Sequence, residues 1–190
     1  MNMPILVHDG SLRLVKLDIQ PQEIPALLQA HRTKWEPPQR LEARGEALIA
    51  ADFPSDEAVQ FAYDVIRWGK GHRFVDRFKT QNSPDSVSRA LRQSVKLADR
   101  GNVAEGVEEI RKLSWISQSF ASKIVRFLRP NAAVILDSVI RNALGYAETK
   151  DGYNAFLRDC EEMLAAVADD YPQLRVCDIE AAIFAKLQGY

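Results

Sequence analysis

From Gln22 to Leu187, apolar residues return every three or four positions in one short run after another, and each run is soon closed by proline, glycine or a small polar residue. Such spacing lines up apolar side chains on one face of an α-helix, and the breakers keep each helix short. The segments are Gln22 to Trp35 and Arg44 to Ala51, divided by Glu36-Pro37-Pro38. A third starts at Ser55, places Val59, Ala62, Val65 and Ile66 on one face and ends at Gly69. Arg73 to Thr80, Pro84 to Arg100 behind a Ser83 cap, Val103 to Lys112, Phe120 to Leu128, Ser138 to Leu144, Tyr153 to Ala168 and Asp178 to Leu187 follow. The expected fold is all-α, a compact set of nine or so short helices, and no internal repeat narrows the arrangement further. Residues 1–20, with Ile5-Leu6-Val7 and Leu12 to Leu17 around His8-Asp9-Gly10, read as an extension or short β-hairpin ahead of a single helical domain over 21–190.

A chain of 190 residues, 46% hydrophobic and 27% charged, can bury the core of one domain. It carries no apolar run of membrane length and no charged-then-apolar leader at its start, so a cytoplasmic monomer without a membrane partner is expected. Cys160 and Cys177 are too few for a disulfide framework or a four-cysteine cluster and read as reduced, buried thiols. His8, His31 and His72 have no metal-ligand spacing, so neither a metal nor another cofactor is expected.

The net charge of -1 hides an uneven distribution. From Arg67 to Arg129 there are fourteen Lys or Arg against six acids, and from Glu148 to Glu180 nine acids against three bases. A basic middle offers a face to a phosphate backbone, although helical surfaces are commonly charged in any case.

Within that middle, Val103 to Leu113, Ser114 to Ser119 and Phe120 to Leu128 read as helix, tight hairpin, helix. Beyond them Asp137 closes the apolar run Val134-Ile135-Leu136 and opens the next helix, a place where a carboxylate serves as an N-cap. This order resembles the helix-hairpin-helix DNA glycosylases, the superfamily of endonuclease III, the adenine glycosylase and 8-oxoguanine glycosylase. Their pattern runs Leu-Pro-Gly-hydrophobic-Gly-x-Lys-x-Ala, then an apolar helix and a catalytic Asp. Laid on this chain without gaps, the leucine falls on Leu113, the lysine on Ser119, the small residue on Ala121 and the Asp on Asp137. Trp115 and Ser117 stand where the family has its hairpin glycines. Lys123 lies four residues after Ser119, on nearly the same helical face, so a long side chain there reaches the same pocket.

The resemblance implies a DNA base-excision glycosylase without an iron–sulfur centre, acting on double-stranded DNA with an extruded base and nearest to the 8-oxoguanine branch. Asp137 would stabilise the positive charge that develops on the sugar as the base departs. Lys123, at the edge of the arc formed by Phe120, Ala121, Ile124, Val125, Phe127 and Leu128, would be the amine of a Schiff-base lyase. Its other reading is a lysine that rests its methylenes on the core and points its charge outward. With Ser119 in the lysine's place and no amine nucleophile, the arrangement would be that of a monofunctional enzyme using water. Phe184 matches a phenylalanine that stacks on the base, and Glu180 stands where the family has a base-reading glutamine.

Trp68-Gly69-Lys70-Gly71-His72-Arg73 reads as a second DNA contact, with Lys70 and Arg73 on phosphate and Trp68 or His72 filling the gap left by the base. It reads equally as a helix C-cap with a buried indole. Trp115, Ser117, Gln118 and Arg126 complete the expected DNA-binding set. The alternative function is a non-catalytic helix-hairpin-helix DNA-binding module, in which Asp137 is only a cap; some relatives of this type accompany bacterial antiviral operons.

Overall fold

The structure, a computed structural model, describes residues 11–35 and 37–190. The expected hairpin segment around Ile5-Leu6-Val7 and His8-Asp9-Gly10 therefore lies outside the described residues. What is described of the hairpin pairs β1 (Leu12–Leu14) antiparallel with β2 (Leu17–Ile19), Leu12 opposite Ile19. Leu12, Leu14 and Ile19 point into the core while Arg13 and Asp18 pair on the outer face at 2.7 Å, the alternation a half-buried ribbon requires.

Ten α-helices follow among the described residues: α1 (Ile24–Lys34), α2 (Gln39–Ala50), α3 (Ser55–Trp68), α4 (Val75–Gln81), α5 (Pro84–Ala98), α6 (Val103–Arg111), α7 (Gln118–Leu128), α8 (Ser138–Leu144), α9 (Lys150–Ala166) and α10 (Val176–Gln188). Their ends follow local chemistry. Ser83 accepts a hydrogen bond from the Ser86 amide at 3.3 Å and opens α5, and Thr149 does the same for Gly152 at 3.1 Å in α9. The main departure from the sequence expectation is α2, which begins at Gln39, five residues before Arg44. Pro37 and Pro38 end α1 but do not delay its successor, because a proline is compatible with the start of a helix, where its missing N–H goes unused.

Helix α7 lies at the centre, with α2, α3, α5 and α6 packed against it, while α10 packs against α1, α8 and α9. Every residue from Ala121 to Leu128 is buried, including Lys123 and Arg126. Lys123 is thus not at the edge of the buried arc, as its wheel position suggested, but inside it, and Phe120 takes the edge. The wheel describes a helix with one covered face, whereas neighbours close around α7 on all sides. Among the described residues no helix is long and apolar enough to cross a membrane, no group of side chains has a metal-binding arrangement, and Cys160 and Cys177 are buried free thiols.

Candidate active site

Two backbone connections bring Lys123 and Asp137 together. Ser122, buried on α7, accepts a hydrogen bond from the amide of Leu136 at 3.2 Å. Tyr153 of α9 brackets the same extended segment, its hydroxyl accepting from the Val134 amide at 3.3 Å and donating to the Val134 carbonyl at 3.1 Å. The next residue along each chain is Lys123 on one side and Asp137 on the other. Asp137 caps α8 with one oxygen, Oδ1, which accepts from the amides of Val139 and Ile140 at 3.0 and 3.1 Å. Its other oxygen, Oδ2, stands 3.9 Å from Lys123 Nζ. The cap and the functional reading are therefore compatible, each using its own oxygen.

Lys123 Nζ also donates to Ser119 Oγ at 2.9 Å. The amine occupies the space next to the residue that holds the family's lysine position, as the four-residue offset suggested. Burial lowers the Lys123 pKa, against the pull of Asp137 and Glu180, which favour its charged form. The free amine is correspondingly more accessible than on an exposed lysine. Glu180 of α10, likewise buried, accepts a hydrogen bond from the Ile135 amide, and burial pushes its pKa up to about 8 even though Arg126 and Lys123 pull it down.

Lys123, Asp137 and Glu180 line an open cleft together with the rings of His31, Trp35, Trp68 and Phe184. Trp35 stacks on His31 with centroids 6.2 Å apart, and Phe184 meets Trp35 edge-on at 5.7 Å. Trp68 leans on Trp35 at 5.3 Å and on Phe127 at 4.8 Å. Burial, with Arg126 and Arg32 nearby, lowers the His31 pKa and favours its neutral ring. Aromatic faces and a few polar side chains thus converge on one cleft, a composition common to small-molecule sites.

The sequence reading missed the ion-pair cluster in which Glu42 holds Arg126 and Arg175 of the cleft lining. Glu42 of α2 accepts from Arg126 at 2.6 Å and from Arg175 at 2.8 Å, and Arg175 also bonds Asp178. Glu42 and Arg126 are 84 positions apart in the chain, and Glu42 and Arg175 are 133 apart, so no local spacing announces the cluster. Trp35 was legible only as the end of a helix before a Pro-Pro breaker.

Two expected DNA contacts are placed elsewhere. Gln118 is fully buried and donates to the Thr149 carbonyl at 2.8 Å, tying the hairpin to the start of α9 rather than facing outward. Arg126 is buried with its guanidinium in the cleft wall, because α7 is enclosed on the face that carries it. Phe184 and Glu180 both line the cleft. Trp115 and Ser117 are exposed at the hairpin, and Lys70, His72 and Arg73 are exposed after α3.

The turn after α3 closes the helix as a C-cap, with Trp68 half-buried. Its left-handed residue is Lys70 (φ +64°), and the Gly71 amide bonds back to the Ile66 carbonyl at 2.8 Å, a Schellman closure. The glycines serve close approach instead: a Cβ on Gly69 would lie 2.8 Å from Lys123 Cδ, and one on Gly71 would lie 2.5 Å from Ile66 Cγ2. This turn is the surface on which the Lys123 stem rests. Lys70 sits 4.1 Å above the Trp35 ring, and with Lys34, Arg40, Arg44 and Arg67 it lines a second, cationic cleft that shares Trp35 and Trp68 with the first. Asp64 there is engaged by Arg44; Lys34, Arg40, Arg67 and Lys70 have no carboxylate partner among the described residues.

Compared with known proteins, the chain matches over residues 16–184 the family described as "Putative 8-oxoguanine DNA glycosylase OGG-like protein". No curated protein and no solved structure matches it.

Proposed function

We propose, since the chain belongs to this family of 8-oxoguanine DNA glycosylase OGG-like proteins, that it removes an oxidised purine, 8-oxoguanine first among the candidates, from duplex DNA and nicks the strand through Lys123. The observation that carries the reading is the buried Lys123 amine 3.9 Å from Asp137 Oδ2, in a cleft lined by Phe184, Trp35 and His31. An extruded base enters between the rings and places its sugar at the Lys123–Asp137 end. The neutral amine attacks the anomeric carbon as the glycosidic bond breaks, and the bonding pair leaves with the base, which takes up a proton. Asp137 stabilises the positive charge on the sugar in the transition state. The amine adduct then loses a proton, the sugar ring opens to a Schiff base, and loss of a C2′ proton expels the 3′ phosphate. Glu180 meets the edge of the base, and the cations of the second cleft, with Arg73, take neighbouring phosphates.

Borohydride reduction of the protein mixed with a duplex carrying one 8-oxoguanine tests this. A covalent adduct is expected from the wild type and from neither Lys123→Ala nor Asp137→Asn. No adduct, with base loss still revealed by alkali, would replace the lyase by a water-using enzyme with Ser119 beside its site. Neither adduct nor base loss from any oxidised purine, with DNA binding intact, would leave a binding module in which Asp137 is a cap alone.

A further inference from the structure

The hairpin between α6 and α7 carries an exposed indole where a glycine would let the backbone close on a phosphate. Trp115 is 49% exposed, the most open of the large apolar side chains among the described residues, and its backbone is left-handed at φ +68°. That conformation suits glycine and costs any other residue, so a tryptophan held in it is a candidate for function. It is held there: Asn82, at the end of α4, accepts from the Ser114 amide at 2.8 Å and donates to the Ser114 carbonyl at 3.1 Å and the Phe78 carbonyl at 2.7 Å.

Around the indole lies a shallow apolar depression formed with Phe74, Ile116, Ser117 and Phe120. Its rim is cationic. The Arg77 guanidinium lies 4.9 Å from the Trp115 ring and has no carboxylate partner among the described residues. Phe120 joins this depression to the active site, since its ring meets Phe74 at 4.8 Å and lies 5.3 Å from Lys123 Nζ.

We infer that Trp115 is a stacking platform for an unpaired nucleobase next to the one in the cleft, so that the hairpin grips DNA by a base rather than by the close backbone approach of its glycine-bearing relatives. A flat π-face accepts any base, and the Arg77 guanidinium beside it matches a phosphate that accompanies one. The inference rests on the reading that the protein binds DNA, and it does not require excision.

The test compares wild type, Trp115→Gly and Trp115→Phe for binding to an undamaged duplex with one bulged 2-aminopurine and to the same duplex without the bulge. The wild type is expected to favour the bulged duplex and to quench 2-aminopurine. Trp115→Gly is expected to lose about tenfold or more of that preference, and Trp115→Phe to keep part of it. Glycine fits the left-handed position, so the melting temperature of Trp115→Gly is expected to hold, and loss of preference by a folded variant is then attributable to the ring. Equal preference and quenching by Trp115→Gly, or a wild type indifferent to the bulge, would overturn the inference. Absence of excision would overturn the glycosylase reading and leave this one standing.

Discussion

Ser122 accepts a hydrogen bond from the buried amide of Leu136 at 3.2 Å, and the residues that follow these two, Lys123 and Asp137, stand 3.9 Å apart at Nζ and Oδ2. A neutral hydroxyl thus joins the two segments that carry the lysine and the aspartate. Replacing it by alanine leaves a buried N–H without an acceptor and frees the Val134–Leu136 segment to drift. Ser122→Ala is expected to lose about 1–3 kcal/mol of stability and to slow borohydride trapping under conditions where the variant is fully folded. Urea unfolding with single-turnover trapping checks this; trapping at the wild-type rate would place the control of spacing in Tyr153 instead.

Asp137 allows its two oxygens to be separated experimentally. Asparagine caps a helix about as well as aspartate, whereas alanine costs about 1 kcal/mol. Asp137→Asn is therefore expected to melt close to the wild type and Asp137→Ala below it, while both lose excision by about a hundredfold or more. Thermal melts beside excision rates decide it. Activity that follows stability across the two variants would reduce Asp137 to its capping role.

Glycines 45 and 69 predict opposite phenotypes. A Cβ on Gly45 would meet the Phe127 carbonyl oxygen at 2.6 Å, backbone that cannot move without parting α2 from α7, so Gly45→Ala is expected to cost about 1–3 kcal/mol. A Cβ on Gly69 would meet the Lys123 stem at 2.8 and 3.1 Å and Phe120 at 3.0 Å. The flexible lysine yields, so Gly69→Ala is expected to fold near normally while its amine is displaced from Asp137, lowering the trapping rate. Denaturant midpoints set against trapping rates read both effects.

Glu180 should give stability a recognisable pH dependence. Burial raises its pKa from the ordinary 4.5 to about 8, so the folded state holds a proton that the unfolded chain releases. For a raised pKa the contribution is fully present below 4.5 and is lost as pH rises toward about 8. Lys123, with a lowered pKa, contributes the opposite slope, which is why the test compares variants rather than the wild type alone. Glu180→Gln keeps an acceptor for the Ile135 amide and cannot ionise, so its stability relative to the wild type is expected to grow between pH 5 and about 8. Urea midpoints at three pH values suffice; a constant difference would mean that Glu180 is ionised throughout.

Glu42 stands between two arginines. Burial works to raise its pKa, but the bonds from Arg175 and Arg126 overcome that and hold it below the ordinary carboxylate value. Removing it strands Arg126, whose side chain is 6% exposed, as an unpaired buried charge. Glu42→Ala is expected to cost about 3–5 kcal/mol, where a surface pair such as Arg13–Asp18 costs far less. Calorimetry of Glu42→Ala and Asp18→Ala provides the contrast.

The sequence by itself determined what depends on near neighbours. Helical spacing and local caps specify most of the helices, down to the bounds of α8, because a cap is a contact between residues two or three positions apart. Asp137 was legible for the same reason, and Lys123 through its four-residue offset from Ser119. The tertiary structure decided everything that depends on which helix lies beside which. It enclosed Lys123 and Arg126 on every side of α7, turned Gln118 inward to Thr149, and joined Glu42 to arginines 84 and 133 positions away. It also put Trp115 into a backbone conformation that its side chain disfavours, because Asn82 grips the turn from another helix. Burial and ion pairing are properties of neighbours in space, and a helical wheel contains none of them.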